Sequence, residues 1–413
     1  MTETVDNHVV VVGCGGNIGS HLIPHLARMS EVNRVTLIDR DVYEPANLRT
    51  QDIVPSEVGK AKALVQARRL RRIDPTLQVE AIVGPVENVA LGRLKSKLIL
   101  AGVDSRRARQ VINEKAWELG TTWIDAGVDG AALLARVSVY FPGSGTACAI
   151  CGWDQTDFDA VETEYPCSDK ENGDSNAEPP ATNAPSSVGA LAASLQAIEC
   201  RKVLSGSAGP GGAPTAHGSR GAREILFDAA YGNLYVTALA HNPDCLMPIH
   251  GSVAGADSTE RADLCSHAAR IGEVIGRSIR PVSGRVQGAE PIRLEVIGQP
   301  FVTSLTCEKC GTRRPFLKLK ASLQRGRRVQ STKCTKCGRE MVATGFDTVD
   351  ELDVDSLSPR TLSLSLNSIG VRRGDVLRVK YAGGSARTIE IGKDEGEPPM
   401  DSPPEPQPSR RHG

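Results

Sequence analysis

The chain has 413 residues, enough for two or three domains that each bury a core, and its 49 Lys and Arg balance 49 Asp and Glu. A net charge of zero argues against nucleic acid as the main partner and against a solvating acidic tail. No apolar run approaches the ~20 residues of a membrane-spanning helix, and eleven cysteines point to metal ligands or nucleophiles in a reducing, cytoplasmic setting rather than to disulfides.

The first strand is expected from about residue 8, which leaves no room for a signal peptide. From there to residue 142, β-branched runs ("HVVVVG", "RVTLID", "QVEAIVG", "KLILAGVD", "TTWIDAGVD", "ARVSVYFP") alternate with stretches of helical periodicity ("GSHLIPHLARMS", "GKAKALVQARRLRRID", "SRRARQVINEKAWELG"). That alternation predicts an α/β, doubly wound, Rossmann-like domain with a mainly parallel sheet. Residues 154–187 turn polar around Cys167 and read as a long surface loop. An apolar helix, "SSVGALAASLQAIECRKVLSG", follows, then a Gly/Ala/Pro-rich hinge at 205–221 and strands in "EILFDAAYGNLYVTALAHNPDC" that close a first domain over 1–250. Residues 255–345 form a second region around two cysteine pairs, 346–392 a small β-rich module, and 393–413 a Pro- and charge-rich flexible tail.

The stretch "VVVVGCGGNIGS" runs a strand into Gly13, Gly15 and Gly19, spaced G-x-G-x-x-G. Such a turn aims the N–H groups of residues 15–19 at a phosphate. By itself it fits the pyrophosphate of a dinucleotide as well as the triphosphate of ATP, and Asp39, at the end of the next strand, fits a ribose in either. The later residues discriminate. One connection carries Asn47, Arg49, Gln51 and Lys62, and Asp104 ends a further strand. Hydride transfer needs no such set; adenylation needs cations around the phosphates and a carboxylate for Mg²⁺.

In order, "GCGGNIGS", "LIDRDVYEPANL", "GKAKA", "DSRRARQVIN" and "LQAIECRKVLSG" resemble the ThiF/MoeB/E1-like superfamily, whose members adenylate the C-terminal glycine of ubiquitin-like and sulfur-carrier proteins. The resemblance covers residues 8–250. It implies that Gly13, Gly15, Gly16 and Gly19 wrap the phosphates of ATP, that Asp39 binds ribose, and that Asn47 and Lys62 hold the triphosphate. Asp41, Arg49 and Gln51 complete the nucleotide set, and Asp104 ligates Mg²⁺ and aligns the incoming carboxylate. It further implies a homodimer, and a nucleophilic cysteine in the crossover loop, where Cys167 is the only one. Thr50 stands where the family pattern has an arginine, with Arg49 displaced by one, which keeps open a catalytically weak scaffold.

Cys307-x-x-Cys310 and Cys334-x-x-Cys337, each followed by glycine, have zinc-ribbon spacing. With 4% aromatic residues, metal substitutes for core packing in this small region. Cys148, Cys151 and Cys245 suggest a second zinc site. The superfamily pattern places another cysteine where Pro248 stands; His250 would complete a three-cysteine, one-histidine set, with His241 and Cys167 as rivals. Cys200 and Cys14 read as core, and Cys265 as helix interior. "TLSLSLNSIGVRRGDVLRVKY" has the look of a ubiquitin-like turn and suggests recruitment of an E2-like conjugating partner. The combined reading is Mg·ATP-dependent adenylation of a ubiquitin-like protein with thioester transfer through Cys167. Sulfur-carrier activation, a dehydrogenase and a binding scaffold are the alternatives.

Overall fold

Val9, Val10, Val11 and Val12 are all buried, as a central parallel strand covered on both faces requires. In the computed structural model this strand, β1 (His8–Val12), lies between β2 (Arg34–Asp39) and β4 (Leu98–Ala101), parallel to both. Outside them lie β3 (Gln78–Val83), parallel to β2, and β5 (Trp123–Asp129), parallel to β4. The sheet continues antiparallel through β6 (Leu134–Tyr140), β7 (Arg223–Asp228) and β8 (Asn233–Ala238). Its order, β3-β2-β1-β4-β5-β6-β7-β8, is the expected doubly wound arrangement with an antiparallel extension. The described residues are 7–143, 145–158, 184–206, 221–247, 265–266, 268–279, 290–323, 333–382, 384 and 386–392.

Four helices cover the sheet: α1 (Asn17–Leu26), α2 (Lys62–Ile73), α3 (Arg106–Leu119) and α4 (Ser186–Leu204). Side chains alternate across β1, so Val9 and Val11 join Leu22, Ala67, Ala192 and Cys200 in one core. Val10 and Val12 face the other way and pack with Val111, Trp117 and Trp123 against α3. Ser105 caps α3 by accepting the Ala108 N–H, and Gly120 ends it in the left-handed region at φ 62°.

The C-terminal half holds α5 (Ile271–Ile279), β9 (Pro291–Val296), β10 (Phe301–Thr306), β11 (Arg313–Leu319), β12 (Thr348–Val349), β13 (Glu351–Asp353), β14 (Val376–Tyr381) and β15 (Ala386–Glu390). They make two sheets, β11-β10-β12 and β13-β9-β14-β15. The division expected between residues 345 and 346 does not follow these sheets. β9, from the 255–345 region, pairs with β13 and β14 of the 346–392 module, and Phe301 and Leu319 share one core with Leu294, Leu352 and Leu377. Two local readings also change. The stretch "TLSLSL", placed in the β-rich module, begins instead in a helical turn, Pro359–Leu362, because Ser358 accepts the Thr361 N–H and proline sits just inside the turn. Cys265 is not in a helix; it forms a parallel bridge to Ile391. The polar segment with Cys167, most of the hinge and the tail lie outside the described residues.

This C-terminal unit is fastened to the first sheet at the far end of α3. Arg378 on β14 reaches Glu118 at 2.5 Å and Glu295 at 2.6 Å, and the Gly92 N–H donates to Gly374 O at 2.7 Å. Arg378→Met would leave two mostly buried carboxylates without their shared cation, at a cost of about 3 kcal/mol. Urea unfolding of the full chain checks this; stability unchanged from the parent would contradict it.

Candidate nucleotide site and cysteine clusters

The glycines after β1 are dictated by close approach. Gly13 has φ +76°, and a Cβ there would lie 2.5 Å from Gly102 O, just beyond β4. A Cβ on Gly19 would collide with Gly13 O, and one on Gly15 with the Cβ of Lys62. Gly16, with ordinary contacts, is the N-cap residue of α1. The turn thus presses the first turn of α1 against strand ends and lays the aliphatic stem of Lys62 over Gly15.

Not all N–H groups expected to face a phosphate are free to do so. That of Gly15 donates to Asp39 Oδ2 at 2.8 Å, and that of Gly16 to Gly13 O at 3.3 Å. The donors left for an anion are those of the first turn of α1, where the helix dipole is also favourable. Asp39, 7% exposed at the end of β2, also accepts the Asp41 N–H at 3.0 Å. Burial raises its pKa, while the N–H groups of Asp41 and Gly15 oppose the rise.

Lys62 opens α2, 7% exposed, with Nζ 3.4 Å from Asp41 Oδ2 and 5.7 Å from the Tyr43 ring centroid. Gly13, Gly15, Gly16, Gly19, Asp39, Asp41 and Lys62 are therefore together. Asp104 is exposed on the same edge, two residues beyond the Gly102 that touches Gly13. Asn47, Arg49 and Gln51 lie in and just after a 3₁₀ turn, Pro45–Arg49. Asn47 Oδ1 is committed to the Glu44 N–H at 2.8 Å, Arg49 is exposed, and Gln51 Oε1 is buried without a hydrogen-bond partner. Burial raises the Cys14 pKa, with Asp39 adding to it, so this thiol is inert packing.

Sequence reasoning missed a network beside Asp104. Asp125 on β5, 2% exposed, receives Arg109 Nε and Arg136 Nη2, both at 3.0 Å, and Arg109 Nη2 donates to Val103 O at 2.6 Å. Arginine at position 109, one turn into α3 on the edge of the parallel sheet, was the available signal. Gln196 ties α4 to the same edge, donating from Nε2 to Ala101 O at 2.9 Å and Ile124 O at 3.0 Å.

Two cysteine clusters have mutual spacings within 4.8 Å. In the first, Cys307 and Cys337 sulfurs are 3.4 Å apart, Cys310 and Cys334 3.5 Å, and Cys310 and Cys337 3.8 Å. Zinc–sulfur bonds of about 2.3 Å in a tetrahedron put sulfurs about 3.8 Å apart, so these thiols fit one zinc ion. Below them Asp347, 1% exposed, meets Arg313 at 2.8 Å and accepts from Ser304, Thr306 and Thr344. Burial works to raise its pKa, and the hydrogen bonds from Ser304 and Thr344 outweigh it, holding the carboxyl well below the usual range. In the second cluster, Cys148 is 3.7 Å from both Cys151 and Cys245, while Cys151 accepts the Cys148 and Asn242 N–H groups at 3.4 and 3.5 Å. Among the described residues three cysteines make up this cluster, and His241 is not in it. His250 and Cys167 lie outside the described residues.

A family model described as the ThiF family matches residues 2–245. The chain belongs to the ThiF family. Curated relatives include ubiquitin-like modifier-activating enzyme 5 of Oryza sativa subsp. japonica, 32% identical over 35% of this chain and 38% of the relative. The protein of the same name from Dictyostelium discoideum is 31% identical over 35% of this chain and 40% of the relative. The ThiF-family chain thus spans about two-fifths of the length of the curated relatives it matches. Among solved structures, E. coli MccB with ATP aligns at a TM-score of 0.44 and 22% identity, covering 61% of this chain and 68% of that one.

Because burial favours the protonated form of Asp39, the folded chain binds that proton more readily than the unfolded chain. Its contribution to stability therefore falls as pH rises from about 4, the ordinary carboxylate value, through the raised one. The stability of Asp39→Asn relative to the parent should climb across that window and then level off in urea titrations between pH 4 and 7. A difference that stays constant with pH contradicts this.

Proposed function

We propose that this ThiF-family chain is an ATP-dependent, E1-like adenylating enzyme. In this reading the C-terminal glycine carboxylate of a ubiquitin-like protein attacks the α-phosphate of ATP. The bond from that phosphorus to the bridging oxygen breaks, pyrophosphate leaves, and an acyl-adenylate remains. The observation that carries the reading is the meeting of Lys62 with the glycine turn, over buried Asp39 and beside Asp104.

The residues suit a nucleoside triphosphate. The first turn of α1 offers N–H donors and a positive dipole end, Lys62 supplies a compact cation, and Gln51 Oε1 is an unspent acceptor for a nucleotide's hydroxyl or amino group. Asp39 retains lone pairs for ribose hydroxyls beyond the two N–H groups it accepts. Asp41 holds the Lys62 ammonium in place, Arg49 supplies a mobile cation to the phosphates, and Asn47 offers its amide. Mg²⁺, held by Asp104, would neutralise charge on the phosphates. Hydride transfer to a nicotinamide would use neither Lys62 nor the Asp104 carboxylate.

Downstream, Cys167 is proposed to take the acyl group as a thioester and pass it to an E2-like partner. Zinc is proposed in both clusters, with His250 as the fourth ligand of the second. A homodimer in the cytoplasm completes the reading, and a sulfur-carrier protein ending in glycine remains the alternative substrate. A thiol-sensitive carrier adduct that disappears in Cys167→Ala tests the thioester step; an unchanged adduct in that variant rejects it.

ATP–pyrophosphate exchange with ubiquitin-like proteins ending in glycine is expected to depend on the carrier, and Lys62→Ala is expected to lower it about 100-fold. Exchange absent with every such carrier, or unaffected by Lys62→Ala, contradicts the reading. Elemental analysis of the purified chain should find two zinc ions per chain, falling to one in Cys334→Ser; one zinc in the parent chain, or none, would reject a filled second site or both.

A further inference from the structure

We propose that Ser186 and His21 form a nucleophile–base pair that takes the acyl group from an acyl-adenylate as an acceptor alternative to Cys167, a step that rests on the adenylating function proposed above. His21 lies one turn into α1. Its Nδ1 is 2.6 Å from the main-chain oxygen of Asn17, and its Nε2 is 3.0 Å from the Ser186 hydroxyl. A carbonyl oxygen can only accept, so the proton of the neutral ring sits on Nδ1 and Nε2 is the acceptor for Ser186. An imidazole whose tautomer is set by a third group, and whose free nitrogen meets a hydroxyl, is the arrangement that activates serine. Both side chains are half-buried, so the pair is open to a substrate.

Its place in the fold favours this use. Ser186 directly follows Ala184 and Pro185, whose carbonyls receive the Asn17 amide at 2.9 and 3.5 Å. Asn17 is the first residue of α1, the helix end that faces the candidate phosphate site. The segment that carries the hydroxyl is thereby fastened to the first turn of α1. Nor is Ser186 an ordinary helix cap: Pro185 occupies the cap position of α4, and no side-chain hydrogen bond caps that end.

In the proposed step Ser186 Oγ attacks the carbonyl carbon of the acyl-adenylate and its proton passes to His21 Nε2. The bond between that carbon and the phosphate oxygen breaks, AMP leaves with the electron pair, and an oxyester remains on Ser186. Unlike a thioester, it resists thiols.

The test treats the full-length chain with acetyl adenylate, which needs neither carrier nor ATP, and maps the acetyl group by peptide mass spectrometry. Acetyl is expected on Ser186, stable to dithiothreitol and released by hydroxylamine. His21→Gln should slow its appearance about 100-fold. Ser186→Cys should carry the acetyl group in thiol-sensitive form, which keeps the test decisive if His21→Gln does not fold. No label at Ser186, a labelling rate indifferent to folded His21→Gln, or no thiol-sensitive label on Ser186→Cys overturns the proposal. Such a failure leaves the adenylation reading standing, because that reading is tested by carrier-dependent exchange.

Discussion

The close contact between the glycine turn and Lys62 is the constraint on which the rest of the site depends. Gly15 has no room for a side chain because the Lys62 stem lies over it, and Gly19 has none because of Gly13 O. Those contacts let α1 start at the end of β1 and bring the first residue of α2 to the same place. Asp39 then locks the turn from below through the Gly15 N–H at 2.8 Å. A buried carboxylate, a nearly buried ammonium and the positive end of a helix are thus brought together around the glycine turn, and none of them alone would define an anion site.

The remainder of the molecule braces this edge. Gln196 fastens α4 to main-chain carbonyls at the strand ends, and Arg109 on α3 holds the β4–α3 connection through the Val103 carbonyl. At the opposite end of α3, Glu118 grips Arg378, so one helix runs from Asp104 to the C-terminal unit. That unit has an apolar core and a cysteine cluster, spaced as the ligands of one zinc ion would be, set over the Asp347 hydrogen-bond hub.

Much of the first domain was legible because its signals are local. β-branched runs, helical periodicity and the glycine spacing each report on neighbours in sequence, and all eight strands of the large sheet fall on runs read that way. The cysteine pairs were legible for the same reason. What escaped depends on partners distant in sequence. Nothing near Pro291–Val296 announces that it pairs with β14 some 80 residues later, and so the expected division at 345/346 cut through one unit. Within the module read as β-rich, the Ser358–Pro359 start signal makes a helical turn at the head of "TLSLSL". The Gly15 N–H was assigned to phosphate, since only the fold reveals that Asp39 takes it. Likewise Ser186 and His21, 165 residues apart, carry no mutual mark in sequence.

The central claim is that the edge formed by the glycine turn, Lys62 and Asp104 holds Mg·ATP. Calorimetric titration of the full chain with Mg·ATP and, separately, with NAD tests it most directly. The account predicts saturable binding of Mg·ATP that Lys62→Ala weakens at least tenfold, and no saturable binding of NAD. Tighter binding of NAD than of Mg·ATP, or Mg·ATP binding indifferent to Lys62→Ala, would contradict it.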